Sequence, residues 1–256
     1  MISIKSQQEI TAMREGGRIL AGIMQKIGEA VAPGRNTWEL NKLAEELIFQ
    51  HGGVPSFKGY GAETGNPFPA AICASLNSEV VHGIPEKNKI LKDGDVFKVD
   101  IGMQYQGLHT DMARSYAVGE CSEQARKLIE VTEQAFWEGI KKMGPKKMLS
   151  DYSKTAQAVV EKNGFSVVRN LVGHGVGREL HEDPQIPNYY NKKFQDIELA
   201  PGMVLALEPM VNAGGFETVV GKDGWGFHSK DGSLTAHYEN TILITEKGVE
   251  VLTVLS

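Results

Sequence analysis

The apolar positions of the chain follow two periods, one typical of helices and the other typical of strands. Residues 7–31 carry apolar side chains at helical spacing and stop at Pro33-Gly34. A second helix is predicted to run from Thr37, as its N-cap, through about Gln50. The same criteria predict helices near 122–142 and 150–163, a loop rich in Gly and Pro at 59–69, and strands near 70–76, 95–118, 166–172, 203–212 and 238–253.

Two helices followed by strands occur twice, and three pairs of short segments repeat in the same order. The pairs are LKDGDVFKVD (91–100) with LAPGMVLALE (199–208), LHTDMA (108–113) with AHYENT (236–241), and VVHGIP (80–85) with VGHGVG (172–177). One such match occurs easily by chance, but three in one order favour a duplication. We therefore expect an α+β fold in one domain, residues 1–256, with an internal repeat of roughly 7–120 and 121–256.

The composition of the chain argues against several classes of protein. A net charge of −5 argues against nucleic acid or an anionic membrane as the main partner. The two cysteines, Cys73 and Cys121, are too few for a disulfide framework. Because the N-terminus has no signal-peptide core and no run of about 18 apolar residues occurs, we expect a cytoplasmic protein with no membrane and no specific nucleic-acid partner.

Two aspartates interrupt strands that are otherwise typical of a protein interior. Asp100 and Asp111 lie within VFKVDIGMQYQGLHTDMARSYAV, residues 96–118. If Tyr105 and Gln106 form the tip of a hairpin, the two acids lie directly opposite each other, with Cβ atoms about 4.5–5.5 Å apart. Two ionised carboxylates so close repel strongly unless a proton or a cation lies between them. The alternative, one aspartate directed to solvent, is weakened by acids at matching positions of the second half.

Those matching acids are Glu208 in MVLALEPMV and Glu239 before NTILIT, and His174 stands between glycines in LVGHGVG. Four carboxylates and one imidazole form a hard, oxygen-rich ligand set that suits Mn or Fe, accepts Co, and is unlike a Cys-rich zinc site. Five groups are too many for one catalytic ion with an open position. We therefore expect two divalent ions per chain (Co, Mn or Fe), about 3.5–4 Å apart.

Two further histidines, His82 and His181, are assigned to the substrate because the metal site is already full. Their N–H groups could stabilise a tetrahedral oxyanion or hold a scissile amide.

These segments resemble the methionine aminopeptidases, a family with the duplicated metallopeptidase fold known as the pita-bread fold. The matching motifs, in order, are VVHGIP, VDIG with HTDMARSY, GHGVGRELHEDPQIPNY, LEPM and YENT. The resemblance implies two pseudo-symmetric halves with a central curved antiparallel sheet covered by helices and a metal site at their junction. Asp111 and Glu239 would bridge the two metals. Asp100 would complete one metal site, and His174 with Glu208 the other.

The implied reaction is removal of the N-terminal methionine from nascent polypeptides, by attack of a metal-activated water on the first peptide bond. Glu208 would act as general base and then as general acid, His82 would contact the scissile amide, and His181 the substrate carbonyl. Nascent N-termini would be met within reach of the ribosome, and nothing in the sequence requires more than a monomer.

The sequence looks like the short bacterial subtype of this family. No zinc-finger extension precedes the first helix. Only 26 residues, 182–207, separate His181 from Glu208, so no room is left for the helical insertion of the other major subtype.

The resemblance also implies a pocket for the methionine side chain, although its lining departs from the usual pattern. Cys73 and Trp225 fall at pocket positions, and Tyr60 and Phe68 compete for an aromatic position because the 59–69 loop is longer than usual. Leu180 stands where Phe is frequent. Near Glu239, residues His237 and Asn240 stand where Gln and His are more usual.

Two alternatives remain at this point. An Xaa-Pro peptidase on the same fold would share the five ligands, but the HGVGRELHEDP context of His181 and the absence of an extra N-terminal domain count against it. A non-catalytic binding module on this fold would typically have lost metal ligands, and here all five are present.

Overall fold

The structure, a computed structural model, describes residues 2–255. Within that range the helices are α1 (Gln7–Ala30), α2 (Thr37–Gln50), α3 (Glu123–Ile140) and α4 (Leu149–Lys162), with a short 3-10 helix at Ala62–Thr64. Each of the four long helices begins and ends within two residues of the bounds that the apolar period predicts. None of the helices in the described range is both long and apolar enough to cross a membrane.

The N-terminus of α2 differs from the sequence prediction by one residue. The N-cap is Asn36, whose Oδ1 accepts a hydrogen bond from the Glu39 N–H at 2.9 Å. Thr37 is the first helical residue and is fully buried, and its hydroxyl donates to the carbonyl and accepts from the N–H of Glu86. The prediction of Thr37 as the N-cap was therefore wrong, because the preceding asparagine is the stronger capping residue and the threonine hydroxyl is held in a tertiary contact.

The strands are shorter and more numerous than predicted. They are β1 (Val54–Pro55), β2 (Ile72–Leu76), β3 (Glu79–Val81), β4 (Val96–Tyr105), β5 (Leu108–Ala117), β6 (Ser166–Val167), β7 (Gly173–Gly175), β8 (Glu182–Ile186), β9 (Val204–Leu207), β10 (Met210–Asn212), β11 (Thr218–Val220), β12 (Phe227–Ser229), β13 (Thr235–His237), β14 (Glu239–Ile244) and β15 (Val249–Val251). The predicted strand at 203–212 is divided at Glu208-Pro209, since proline has no N–H for the ladder.

Nine of these strands form one antiparallel sheet in the order β1-β4-β5-β14-β9-β7-β8, with β2 also paired to β4 and β15 to β14. Two three-stranded sheets, β13-β10-β6 and β11-β12-β3, adjoin it. Strand β5 from the first half pairs with β14 from the second half through Glu239 opposite Ala113. This β5–β14 pairing is the seam at which the two halves of the large sheet meet.

Each half of the sheet is covered by its own pair of helices. Apolar side chains of α1 and α2 pack with those of β2 and β4 in one cluster that includes Leu20, Leu40 and Val99. Side chains of α3 and α4 pack with β9 and β14 in a second cluster that includes Phe136 and Tyr152. The predicted α+β class, with a curved antiparallel sheet covered by helices, is confirmed.

Candidate active site

Strand β4 separates the core from the site by the two-residue alternation of its side chains. Val99 and Ile101 belong to the apolar cluster beneath α1 and α2. Asp100 and Gly102 face the opposite side of the sheet. Asp100 therefore removes no apolar side chain from the cluster beneath α1 and α2. Its carboxylate lies on the opposite face of the sheet.

The register of the β4–β5 hairpin corrects the geometry expected for the two aspartates. The tip is Gln106-Gly107, with φ of 51° and 80°, and Asp111 lies opposite Gly102. Asp100 lies opposite Ala113, so the acids are diagonal neighbours, and the expectation of a directly opposed pair was wrong. A two-residue turn with both φ positive favours glycine at its second position, which moves the tip one residue beyond Tyr105-Gln106. The acids still share one face of the sheet.

The registers of successive strands align the site residues in two neighbouring rows across this face. The first row contains Cys73, Asp100, Ala113 and Glu239. The second row contains Gly102, Asp111, Thr241, Ala206 and His174. Both rows cross the β5–β14 seam, so residues from both halves of the chain face the same space.

His174 is held in one orientation by its own strand. Its Nδ1 lies 2.8 Å from the Gly175 carbonyl oxygen, so Nδ1 carries the proton and donates it there. The free electron pair is therefore on Nε2, which lies 3.4 Å from Oε1 of Glu208. A Cβ at Gly173 would lie 2.5 Å from the Ala206 carbonyl oxygen, and glycine is thus required for β7 to approach β9 this closely.

The five residues predicted as metal ligands lie in one buried cluster. One ligand atom each of Asp111, His174 and Glu239 lies within 4.8 Å of the others. Asp100 lies close enough to Asp111 for that carboxylate to raise the pKa of Asp100, and Glu208 borders His174. All five line a single cavity.

Burial is the largest cause of the pKa shifts of the four acids in this cluster. Burial raises the pKa of Asp100, Glu208 and Glu239, and the neighbouring carboxylates raise it further. Burial also raises the pKa of Asp111, although hydrogen bonds from the Met112 N–H and from Asp100 partly offset the effect. Four carboxylates so placed are ionised together only when positive charge lies among them.

Three carboxylate oxygens of this cluster lack a partner that a bound cation would supply. Asp100 Oδ1, Asp111 Oδ1 and Glu239 Oε1 are buried and have no hydrogen-bond partner among the described residues. Buried polar atoms left in this way are costly, and carboxylate oxygens are the preferred ligands of hard divalent ions. A divalent metal would satisfy all three oxygens and cancel the repulsion between the acids.

The two histidines assigned to the substrate border the same cavity. His82 has φ of 59°, a left-handed conformation that costs a non-glycine residue roughly 1–2 kcal/mol and is typical of functional positions. His181 lies at the rim, where its Nδ1 is 2.6 Å from the Tyr60 hydroxyl. Burial, and then the charge of a neighbouring histidine, lowers the pKa of both His82 and His181, so both imidazoles are neutral at pH 7.

One end of the cavity is apolar. Both aromatic candidates from the 59–69 loop, Tyr60 and Phe68, line it together with Cys73 and Trp225. The rings of Phe68 and Trp225 pack edge to face, with centroids 5.3 Å apart. Phe57 also lines this end and was not predicted from the sequence, because it reaches the cavity through tertiary packing.

The comparisons with known proteins agree with this geometry. Residues 11–246 match the metallopeptidase family M24, and the chain belongs to that family. Over 256 residues, which are 100% of both chains, it is 47% identical to the methionine aminopeptidase of Clostridium perfringens. A crystal structure of methionine aminopeptidase from Thermotoga maritima superimposes with a TM-score of 0.94 at 45% identity, covering 99% of this chain and 100% of that one. The resemblance drawn from the motifs is thereby confirmed.

A prolidase from Pyrococcus furiosus shares the fold with a lower TM-score and a lower sequence identity. Its TM-score is 0.78 at 23% identity, and the match covers 99% of this chain and 66% of that one. This likeness shows the common architecture alone. The aminopeptidase interpretation is therefore favoured over the Xaa-Pro alternative by full-length identity to named methionine aminopeptidases.

Proposed function

We propose that this chain is a metal-dependent aminopeptidase that removes the N-terminal methionine of polypeptides. The observation that carries the proposal is the meeting of four carboxylates and one neutral imidazole beside an apolar pocket, in one cavity of an M24 metallopeptidase. The apolar end would hold the methionine side chain, and the ligand cluster would lie at the first peptide bond. An unbranched thioether suits an aromatic-lined pocket of this kind.

The metal would be held by Asp100, Asp111, His174, Glu208 and Glu239. We propose two divalent ions, Co, Mn or Fe, because five ligands of this type exceed the needs of one catalytic ion. Bound metal would lower the pKa of an attacking water and polarise the substrate carbonyl. The buried oxygens without partners and the raised pKa values of the acids support this assignment.

Glu208 is the proposed proton carrier. It is positioned for that role because its Oε1 lies beside His174 and its backbone carbonyl accepts a hydrogen bond from Asn188 at 2.9 Å. Burial raises the pKa of Glu208 towards the range in which a carboxylate takes a proton from water and returns it to a leaving amine.

His181 and His82 are the proposed substrate contacts. The Tyr60 hydroxyl beside Nδ1 leaves Nε2 of His181 as the nitrogen directed to the cavity. A neutral N–H donor there would stabilise negative charge developing on the carbonyl oxygen. His82 would contact the scissile amide from its fixed backbone conformation.

The location and the oligomeric state of the protein are also part of the proposal. We propose that the chain acts in the cytoplasm as a monomer, on nascent polypeptides within reach of the ribosome, and that residues 1–256 are one duplicated domain. All five proposed ligands come from this chain, so the site does not need a residue of a second copy.

A peptide assay tests the activity. Metal-free protein is supplied with Mn²⁺ or Co²⁺ and offered Met-Gly-Met-Met and Ala-Pro peptides. We expect release of methionine from the first and little turnover of the second. Preferential cleavage of the Ala-Pro peptides would favour the Xaa-Pro activity, and turnover of neither with tightly bound metal would favour a binding module.

A further inference from the structure

His237 is a buried histidine beside the site for which the reaction as proposed has no role. It is 1% exposed and ends strand β13, two residues before Glu239. Its Nε2 lies 3.8 Å from Oε2 of Glu208 and 3.9 Å from Oε2 of Glu239. Glu208 is thus flanked by an imidazole at each oxygen, His174 at Oε1 and His237 at Oε2.

The two ring nitrogens of His237 have no hydrogen-bond partner among the described residues. A buried imidazole that is left unpaired is costly, and such groups in native proteins usually have a partner that the protein alone does not supply. The backbone of His237 is nevertheless fixed, because its N–H and carbonyl are both bonded to the Ser115 hydroxyl at 2.9 Å and 2.8 Å. The backbone therefore fixes where the ring emerges, and the polar groups nearest Nε2 are the carboxylates of Glu208 and Glu239.

The imidazole of His237 can serve as a hydrogen-bond donor to the carboxylates beside it. A histidine ring carries at least one N–H in either protonation state, and Nε2 is the nitrogen that faces Glu208 and Glu239. An N–H at that position can orient an ionised carboxylate.

The corresponding histidine of the first half has a different environment. His109 stands two residues before Asp111, as His237 stands two residues before Glu239. Its Nδ1 lies 2.8 Å from the Ser56 hydroxyl and its Nε2 lies 3.1 Å from the Gln104 side chain. The repeat therefore places one histidine in each half, but His237 alone of the pair lacks protein partners in the described chain.

We propose that His237 is a positioning residue that donates its Nε2–H jointly to Glu208 and Glu239 when the site holds metal. The nearly equal distances to the two carboxylates suit a shared donor, and a movement of about 1 Å brings the nitrogen to hydrogen-bond distance of about 2.9 Å. The proposal rests on the proposed metal site, and it adds a residue that sets the orientation of two of its ligands. Partners of this kind typically contribute a factor of about 10–100 to metal affinity.

Three variants of His237 distinguish a hydrogen bond donated by its N–H from the effect of its side-chain volume. Metal-free wild type, His237→Ala, His237→Leu and His237→Gln are titrated with Mn²⁺ by isothermal calorimetry. We expect Ala and Leu to weaken Mn²⁺ binding by about 10–100-fold, and Gln, which keeps an N–H donor, to stay within about fivefold of wild type. His109→Ala is the matched control and should bind Mn²⁺ like wild type.

The outcomes distinguish the inference from the proposed function. A wild type that does not bind Mn²⁺ would overturn the proposed function together with this inference. Wild-type affinity in His237→Leu, or equal weakening in His109→Ala, would overturn the inference alone. If circular dichroism shows that His237→Leu does not fold, the Ala and Gln variants decide, and equal affinities for these two would refute donation by His237.

Discussion

The hydroxyl of Tyr60 lies 2.6 Å from Nδ1 of His181, and the two rings pack edge to face with centroids 4.9 Å apart. This contact joins the long loop of the first half to a histidine of the second half at the rim of the cavity. With the Tyr60 hydroxyl at Nδ1, Nε2 is the ring nitrogen of His181 that is left for the cavity.

Removal of that hydroxyl should lower activity without unfolding the protein. In Tyr60→Phe, we expect kcat/KM on a methionyl peptide to fall about fivefold to tenfold, since one hydrogen bond of about 1 kcal/mol is lost. Tyr190→Phe, at an exposed tyrosine outside the cavity, is the matched control. Unchanged kcat/KM in Tyr60→Phe would show that the Tyr60 hydroxyl does not fix which ring nitrogen of His181 carries the proton.

The carboxylate of Glu208 should be required for turnover but not for folding. We expect Glu208→Gln to lower kcat by about a thousandfold, because the change removes the proposed general base and a proposed ligand together. The apparent Tm of the metal-free protein should stay level or rise, since one repelling acid of the cluster becomes neutral. Glu179→Gln, an exposed glutamate near the rim, should keep wild-type kcat. Near-normal turnover by Glu208→Gln would remove it from the mechanism.

Metal affinity should depend on pH through the buried acids. Because burial and mutual repulsion raise the pKa of these carboxyls, the metal-free site holds protons that a divalent ion must displace. Affinity for Mn²⁺ should therefore fall as the pH is lowered through about 7, to which burial raises the pKa of Asp111, with proton release on binding. Calorimetry in two buffers of different ionisation enthalpy measures the protons released. An affinity that is independent of pH would show that the acids are already ionised without metal.

Glu9 provides a second pH dependence, this time of folding stability. Its carboxylate accepts hydrogen bonds from Arg178 at 2.6 Å and from the Ser6 N–H at 2.7 Å, which lowers the pKa of Glu9 from 4.5 to about 2. A depressed pKa stabilises the fold above pH 4.5, and this contribution is lost as the pH falls from 4.5 to about 2. Glu9→Gln should thus flatten the decrease of Tm in that window. Glu46→Gln, at an exposed position of α2, should leave the pH profile of Tm as in wild type.

Two glycine-to-alanine changes in helices should have opposite effects. A Cβ at Gly139 would lie 2.5 Å from Cδ2 of Tyr152, whose hydroxyl is bonded to Asn188, the residue that binds the Glu208 carbonyl. We expect Gly139→Ala to lower the free energy of unfolding by about 1–3 kcal/mol. At Gly22 the nearest atom is 3.9 Å from the added Cβ, and Gly22→Ala should raise this free energy by up to about 1 kcal/mol. Urea unfolding compares them, and equal effects would show that Tyr152 moves freely aside.

The helices and the main hairpin were predictable because their signal is local and periodic. The core-facing residues Val99 and Ile101 alternate with Lys98 and Asp100, and this alternation identified acids on a buried strand. The burial of the four acids followed from residue type and position, since acids within apolar strands require a partner.

The register and the smaller strands were not predictable to the same degree. The position of the hairpin tip depended on which residues adopt positive φ, and Gln106 with Gly107 differs from the assumed pair by one residue. The β11–β12 hairpin was missed because both strands are three residues long, and because β12 pairs with β3, which is more than 130 residues earlier in the chain. Phe57 reaches the cavity through tertiary packing that no local pattern encodes.

The β5–β14 seam has a consequence for the order in which the protein folds. It joins Ala113 to Glu239, so the loop that must close before these strands pair is very long. Before that step, Asp100 and Asp111 belong to one part of the chain and His174, Glu208 and Glu239 to another, so neither part alone holds the whole proposed ligand set. Closing the seam forces like charges together, and a divalent ion present at that moment would therefore act as a folding cofactor as well as a catalytic one.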